Sequence, residues 1–215
     1  MLNLILKDIL LQKRIIAFIF FYAILFVFAF QGSEIIGLVA VVMGITYTAI
    51  NTVASIEDKN KADVLLNSLP ISRKKLVLAK YISLFVYMIM GILSYIIVTN
   101  LIKAFALPIE VFPVTGEALM AAVLGTVLIN SIQLPVFFKF GYTKSRIIGL
   151  ILFISIFFGI SAGMNAIGFH QNKVISEFFT NLSDMQITFL MIALAFLILL
   201  CSYLLSLKIY QNKEF

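Results

Sequence analysis

Residues 35–56 read IIGLVAVVMGITYTAINTVASI and contain no charged side chain. An α-helix needs about 20 apolar residues to cross a hydrocarbon core about 30 Å thick. Each charge at the centre of such a span would cost roughly 2.5–3.5 kcal/mol. The length of this run and its lack of charge therefore predict a membrane-spanning helix.

Five further runs have the same character, which gives six predicted spans at residues 15–30, 35–56, 81–102, 118–138, 147–168 and 187–207. The chain is 62% hydrophobic and only 12% charged, so it has too little polar surface for a soluble domain. We predict an all-α membrane protein in which residues 1–215 form one transmembrane domain. Residues 1–14 fit either an interfacial helix or a cytoplasmic extension of the first span.

The basic residues are distributed unevenly about these spans. Fourteen of the 16 Lys and Arg fall in the two termini, the 57–80 loop and the 139–146 turn, and only Lys103 and Lys173 fall on the other side. The positive-inside rule therefore places both termini in the cytoplasm of a multi-pass membrane protein. The net charge of +6 is explained by this placement, so we expect no nucleic-acid partner.

Polar residues follow one face of the second span, at i, i+3, i+4 and i+7: Thr48, Asn51, Thr52 and Ser55. Asn130 and Gln133 lie near the cytoplasmic end of the fourth span. Close helix packing is the first interpretation of the stripe, and the lining of a transport pathway is the alternative for both sets. Pro135 follows them and predicts a kink and a freed backbone carbonyl.

The longest predicted cytoplasmic loop, residues 57–80, reads EDKNKADVLLNSLPISRKKLVLAK. We predict a short helix over about 61–67, ended by Pro70, with Ser72 as the N-cap of the next helix. Snorkelling at the headgroups accounts for four of its six basic residues, Arg73, Lys74, Lys75 and Lys80. Snorkelling does not account for its apolar residues Val64, Leu65, Leu66 and Leu69, which need lipid or a partner to cover them.

Two further patterns lie towards the C-terminus. Ser155, Gly159 and Gly163 recur at four-residue spacing, which is typical of a tight packing or dimer face. The following outer loop carries an amphipathic pattern, formed by Val174, Ile175, Phe178, Phe179 and Leu182. This pattern predicts a short helix on the outer leaflet or one that dips back towards the helix bundle.

The sequence lacks the residues that membrane enzymes require. It has no Walker sequence, its one histidine is His170 in an outer loop, and Cys201 is alone. We predict no catalytic residue, no metal site and no cofactor in this chain. No ionisable cluster lies at membrane depth, so any uphill transport would draw its energy from another chain.

The 57–81 and 134–146 segments resemble the permease subunits of type-2 ATP-binding-cassette (ABC) exporters. The matching stretches are Glu57-Asp58, Asn67-Ser68-Leu69-Pro70-Ile71-Ser72-Arg73, Ala79-Lys80-Tyr81 and Leu134-Pro135-Val136-Phe137-Phe138-Lys139-Phe140-Gly141. The similarity is greatest to the small bacterial permeases that include phenol-soluble-modulin exporters and antimicrobial-peptide resistance transporters.

This resemblance implies a half-transporter that pairs with a second copy or a sister permease and with two ATPase subunits, which bind ATP and Mg. It implies a coupling helix at about residues 60–69 and re-entrant helices between spans five and six. The residues that it assigns to ATPase coupling are Glu57, Asp58, Asp63, Val64, Leu65, Leu66, Leu69, Pro70 and Arg73. The expected cargo is amphipathic or hydrophobic, and the alternative is a non-transporting membrane immunity or assembly partner.

Overall fold

The computed structural model describes residues 2–12, 16–30, 32–61, 65, 72–106, 108–166 and 184–213. These ranges contain no strand, and their helices are α1 (Leu2–Gln12), α2 (Ile16–Ala29), α3 (Glu34–Lys59), α4 (Arg73–Ala104), α5 (Gly116–Phe140), α6 (Tyr142–Ala166) and α7 (Asp184–Gln211). The all-helical class predicted from the sequence is confirmed.

Within the described residues, four helices are long and apolar enough to cross a membrane, namely α3, α4, α5 and most of α7. The apolar part of α2, Phe18–Ala29, is shorter than a full span. Helix α6 covers most of the predicted fifth span. Six spans with both termini in the cytoplasm remain a prediction. The predicted outer helix, with Val174, Ile175, Phe178, Phe179 and Leu182, lies outside the described residues.

Helix α3 lies at the centre of the bundle and packs against α2, α4, α5 and α6. Its residues Leu38, Val41 and Val42 are fully buried. The outer helices α4 and α7 instead expose large apolar side chains such as Ile89 and Phe189. This is the distribution expected where lipid rather than water surrounds the bundle, because lipid does not penalise exposed apolar groups.

The α5–α6 hairpin turns on a single residue, Gly141. Its φ of 81° lies in the left-handed region that favours glycine, and its N–H donates to the carbonyl of Phe137 at 2.9 Å. Helix α6 begins directly afterwards, at Tyr142. The hydroxyl of Ser145, in the first turn of α6, donates to the carbonyl of Gln133 at 3.4 Å and joins the two helices of the hairpin.

The carbonyl freed by Pro135 has a partner on α7. Proline has no N–H, so the carbonyl of Ser131, four residues earlier, has no helical donor. The hydroxyl of Ser202 donates to it at 2.7 Å, and the hydroxyl of Tyr81 on α4 lies 2.6 Å from the same serine oxygen. The backbone hydrogen bond that α5 lacks at Pro135 is therefore replaced by hydrogen bonds that join α5 to α7 and α4.

Candidate functional site: a polar cleft beside a buried ion cluster

The polar stripe of α3 borders an open cleft of about 490 Å³ between α3 and the start of α6. The stripe residues on its wall are Thr48, Asn51, Thr52 and Ser55, and Ile56 adds an apolar contact. Ligand clefts in proteins typically measure about 300–1,000 Å³. The cleft is therefore large enough for a small amphiphile or for a segment of a longer one.

The same cleft is bordered by the end of α3 at Lys59 and by the first turns of α6 at Tyr142 and Arg146. The Tyr47 hydroxyl donates to the backbone carbonyl of Arg146 at 2.9 Å and so joins the two helices. The Arg146 guanidinium donates to the Tyr142 hydroxyl at 3.3 Å. These contacts fix the position of a cation at the border of the cleft.

A buried amide pair lies behind the stripe. The Gln133 amide nitrogen donates to the Asn51 side-chain oxygen at 3.2 Å, and the Asn51 amide donates to the carbonyl of Tyr47 at 2.8 Å. Gly149 on α6 makes room for this arrangement, because an added Cβ would lie 2.7 Å from the Gln133 side chain and 2.9 Å from the Tyr47 ring.

The structure thus brings Asn51 and Gln133 together although they lie on different helices, with Asn51 on the wall of the cleft and Gln133 behind it. Asn130 does not border the cleft. It is buried, and its amide donates to the carbonyl of Thr126 in its own helix at 2.7 Å. Whether cargo passes along the stripe stays a prediction.

A second polar feature joins α1, α3 and α4. The Lys80 ammonium lies 2.7 Å from a Glu57 carboxylate oxygen and 3.2 Å from one of Asp8. Lys7 lies 2.5 Å from the same Glu57 oxygen and 3.4 Å from Asp8, and the Ser83 hydroxyl donates to Asp8 at 3.1 Å. We call these four charged residues and Ser83 the ion cluster.

Burial makes the ion cluster depend on its pairing. Asp8 is only 2% exposed and Glu57 only 7%. An uncompensated charge at this depth would cost several kcal/mol, whereas two cations and two anions offset one another. Burial lowers the pKa of Lys7, but the Glu57 and Asp8 carboxylates outweigh it, and the pKa is raised overall. Lys7 therefore stays protonated at neutral pH.

Helix α1 packs onto the bundle through these charges. The Gln12 amide also donates to the carbonyl of Ala49 on α3, at 2.7 Å. Two cavities of about 30 and 20 Å³ flank the ion cluster, and each has room for about one water molecule. Neither interpretation of residues 1–14 anticipated this docking.

Two basic residues have partners other than lipid headgroups, which corrects the snorkelling interpretation. Lys80 is held in the ion cluster. The Arg73 guanidinium donates to the backbone carbonyls of Gln211, the last residue of α7, at 2.7 Å and of Lys213 at 3.2 Å. Lys74 and Lys75 are exposed, as that interpretation requires.

The residues assigned to ATPase coupling are only partly described. Glu57 points into the ion cluster, Asp58 is exposed, and Leu65 is helical and 62% exposed. Arg73 is bound to the end of α7, as described above. The remaining five, Asp63, Val64, Leu66, Leu69 and Pro70, lie outside the described residues. Ser72 precedes α4 as predicted, although its side chain makes no capping hydrogen bond. The coupling role of this segment is therefore still a prediction.

The proposed packing face on α6 is exposed within the single chain. Ser155 and Gly159 are both exposed, and a Cβ added at Gly159 would meet nothing within 4 Å. Gly163 lies in α6, but its surroundings are outside the described part. The face is therefore accessible to lipid or to a second chain.

Sequence reasoning missed Asp8, Lys59 and Arg146 as site residues. Asp8 is the only acidic residue before Glu34, and an isolated acid in an apolar helix is a signal for a basic partner. Lys59 lies four residues after Ser55 and so extends the polar stripe. Arg146 gave no comparable signal, because its place beside α3 depends on how the helices pack.

Comparison with protein families supplies the relationship. Residues 3–211 match the family model of the ABC-2 family transporter proteins. The same comparisons found no match among curated proteins and none among solved structures. Because the match covers nearly the whole chain, this protein belongs to the ABC-2 family of transporter proteins.

Proposed function

We propose that this chain is the transmembrane subunit of an ATP-driven ABC exporter in the bacterial cell membrane. Its cargo is an amphipathic or hydrophobic molecule, such as a peptide, a toxin or an antibiotic. A separate ATPase chain binds ATP and Mg and supplies the energy. Membership of the ABC-2 family supports a transport role of this general kind.

The observation that carries the proposal is the cleft along α3. Its wall combines hydroxyl and amide groups with the Tyr47 and Tyr142 rings and Ile56. Such a wall offers apolar contact and hydrogen bonding along one surface, which suits a cargo that has both kinds of surface. A helix face used only for packing would be filled by a neighbouring helix.

The connection between α3 and α4 is the proposed contact with the ATPase. The ion cluster holds the last turns of α3 and the first turns of α4 against α1. Arg73 holds the start of α4 against the end of α7. A displacement of residues 60–72 by the ATPase would therefore be transmitted through charged contacts to α1, to the end of α3 and to the end of α7.

A dimer is the proposed working unit. The cleft is open on one side, and Ser155 and Gly159 give α6 an exposed face of small side chains. A second copy, or a sister permease, would complete the walls of a pathway that one chain leaves open.

The test is to identify the ATPase that co-purifies with this chain from its own cells and to reconstitute the two together. We expect a stoichiometric complex and ATP-dependent uptake of a fluorescent amphipathic peptide into inside-out vesicles. Replacing Asn51 with Leu should reduce uptake at least about tenfold and leave the complex intact. Asn100→Leu is the matched control, because Asn100 is exposed on α4 and lies outside the cleft.

Two outcomes would count against the proposal. Failure of any ATPase to co-purify would favour the non-transporting immunity or assembly partner. If Asn51→Leu takes up peptide as well as the Asn100→Leu control does, the cleft is not part of the transport pathway.

A further inference from the structure

The cleft along α3 is unbalanced in charge. Two cations, Lys59 and Arg146, are among the described residues that border it, and no acidic residue is. Glu57 and Asp58 are the nearest acids along α3, but neither lines the cleft, and Glu57 is already paired with Lys7 and Lys80. The cleft therefore has a positive potential that no described acid bordering it offsets.

Four other cations near the ends of these helices are occupied. Lys7 and Lys80 belong to the ion cluster, and Lys139 and Lys144 lie 5.0 Å from the centre of the Phe140 ring. Lys59 and Arg146, in contrast, form no ion pair with another described residue. Both remain available to an anion that enters the cleft.

The uncharged groups on the wall of the cleft compete only weakly with these two cations for a bound anion. Two of the four stripe residues use a donor within their own helix, since the Thr48 hydroxyl donates to the carbonyl of Gly44 at 2.7 Å and the Asn51 amide donates to that of Tyr47 at 2.8 Å. The Tyr47 hydroxyl is used by Arg146. Strong binding of an anion in the cleft thus falls to the two cations.

We propose that the cleft binds an amphiphile that carries a phosphate or carboxylate group, with that group held by Lys59 and Arg146. The remainder of the molecule lies along the stripe and the Ile56 side chain. The proposal rests on the proposed function in naming the charge class of the cargo. The same chemistry is present in an anionic lipid and in an acidic cargo molecule, and the experiment separates these sources.

The probe is dodecyl phosphate, titrated calorimetrically into the purified chain in zwitterionic nanodiscs without any ATPase. Empty nanodiscs correct for partition into lipid. We expect Lys59→Gln with Arg146→Gln to weaken binding at least about tenfold, because two charge-assisted contacts are lost. Lys74→Gln with Lys75→Gln, which removes two exposed cations outside the cleft, should bind like wild type.

A second titration uses nanodiscs that contain phosphatidylglycerol. Reduced apparent affinity for dodecyl phosphate would identify membrane lipid as an occupant, and unchanged affinity would favour an acidic cargo. If the double variant does not fold, Lys59→Gln alone, at an exposed position, gives the same comparison. Equal binding by the Lys59 variant and wild type, or equal binding of dodecyltrimethylammonium, would overturn the proposal. Because no ATPase is present, either result is distinct from a failure of transport.

Discussion

The Lys80 ammonium lies 2.7 Å from the Glu57 carboxylate, so a buried ion pair joins the end of α3 to the start of α4. The chain between them includes the 60–72 segment, the proposed contact with an ATPase. Lys7 of α1 binds the same carboxylate at 2.5 Å. The two ends of the segment are thereby fixed to each other and to the N-terminal helix.

Glu57→Gln should destabilise the protein by about 2–4 kcal/mol, because it leaves Lys7 and Lys80 short of one negative charge in a buried site. Thermal unfolding in detergent measures this loss of stability. Asp58→Asn is the control, since Asp58 is the exposed neighbour, and we expect a change within about 0.5 kcal/mol. Similar unfolding temperatures for the two variants would mean that the ion cluster contributes little to stability.

Arg73→Gln should loosen the end of α7. The Arg73 guanidinium binds the carbonyls of Gln211 and Lys213, and these groups have no helical donor beyond the last turn. Hydrogen exchange of residues 208–213 should become at least about tenfold faster, which corresponds to about 1.4 kcal/mol. Lys74→Gln, next along the chain and exposed, should leave exchange unchanged. Faster exchange in both variants would assign the effect to net charge.

Gly149→Ala should disturb the cleft, because the new methyl group would lie 2.7 Å from the Gln133 side chain and 2.9 Å from the Tyr47 ring. Overpacking of this kind typically costs about 1–3 kcal/mol. The same change at Gly159 meets open space on the same helix and should have little effect on the folded monomer. Unfolding curves of the two variants provide the comparison, and equal curves would show that α3 and α6 adapt at this point.

Four of the apolar runs coincide with the described helices that are long enough to cross a membrane, since hydrophobicity along the chain decides what can enter one. The run at 118–138, for example, lies within α5, and Gly141 ends that helix as its left-handed preference suggests. Local chemistry also predicted the freed carbonyl before Pro135. Its partner Ser202 could not be predicted, because it comes from a helix about seventy residues away.

The polar stripe of α3 likewise has one part that the sequence predicts and one part that depends on how the helices pack. Its spacing predicted a common face for Thr48, Asn51, Thr52 and Ser55, and that face borders the cleft. The spacing did not reveal that Lys59 and Arg146 border the same space, because Arg146 reaches it only through the α3–α6 packing. Lys80 was interpreted from its neighbours as a headgroup anchor, whereas its partners Asp8 and Glu57 lie in other helices.

Topology can be tested by single cysteines at Lys59, Lys144 and Lys173 in a Cys201→Ser background. The uneven distribution of basic residues predicts that the first two positions are cytoplasmic and the third is external. In intact cells, an impermeant thiol reagent should label only the cysteine at 173. Permeabilised cells provide the control, since all three should then react. Labelling at 59 from outside would reverse the predicted orientation.

The last prediction concerns coupling through residues 60–69. Leu65 is helical and 62% exposed, and burying a leucine side chain is worth about 1.5–3 kcal/mol. Lipid or another protein could supply that burial. The resemblance of the 67–73 stretch to type-2 ABC permeases favours a groove on the ATPase. Leu65→Asp, alone and with Leu66→Asp, should therefore abolish both ATPase co-purification and export.

Neither leucine lies in a predicted span, so membrane insertion should be normal in these variants. Asn60→Asp adds one negative charge at an exposed position just after α3 and serves as the control, with binding and export retained. If lipid covers the leucines instead, the Asp variants should still bind the ATPase at wild-type stoichiometry. That result, together with normal export, would contradict the coupling assignment, because a charged side chain cannot remain in an apolar protein groove without a large loss of affinity.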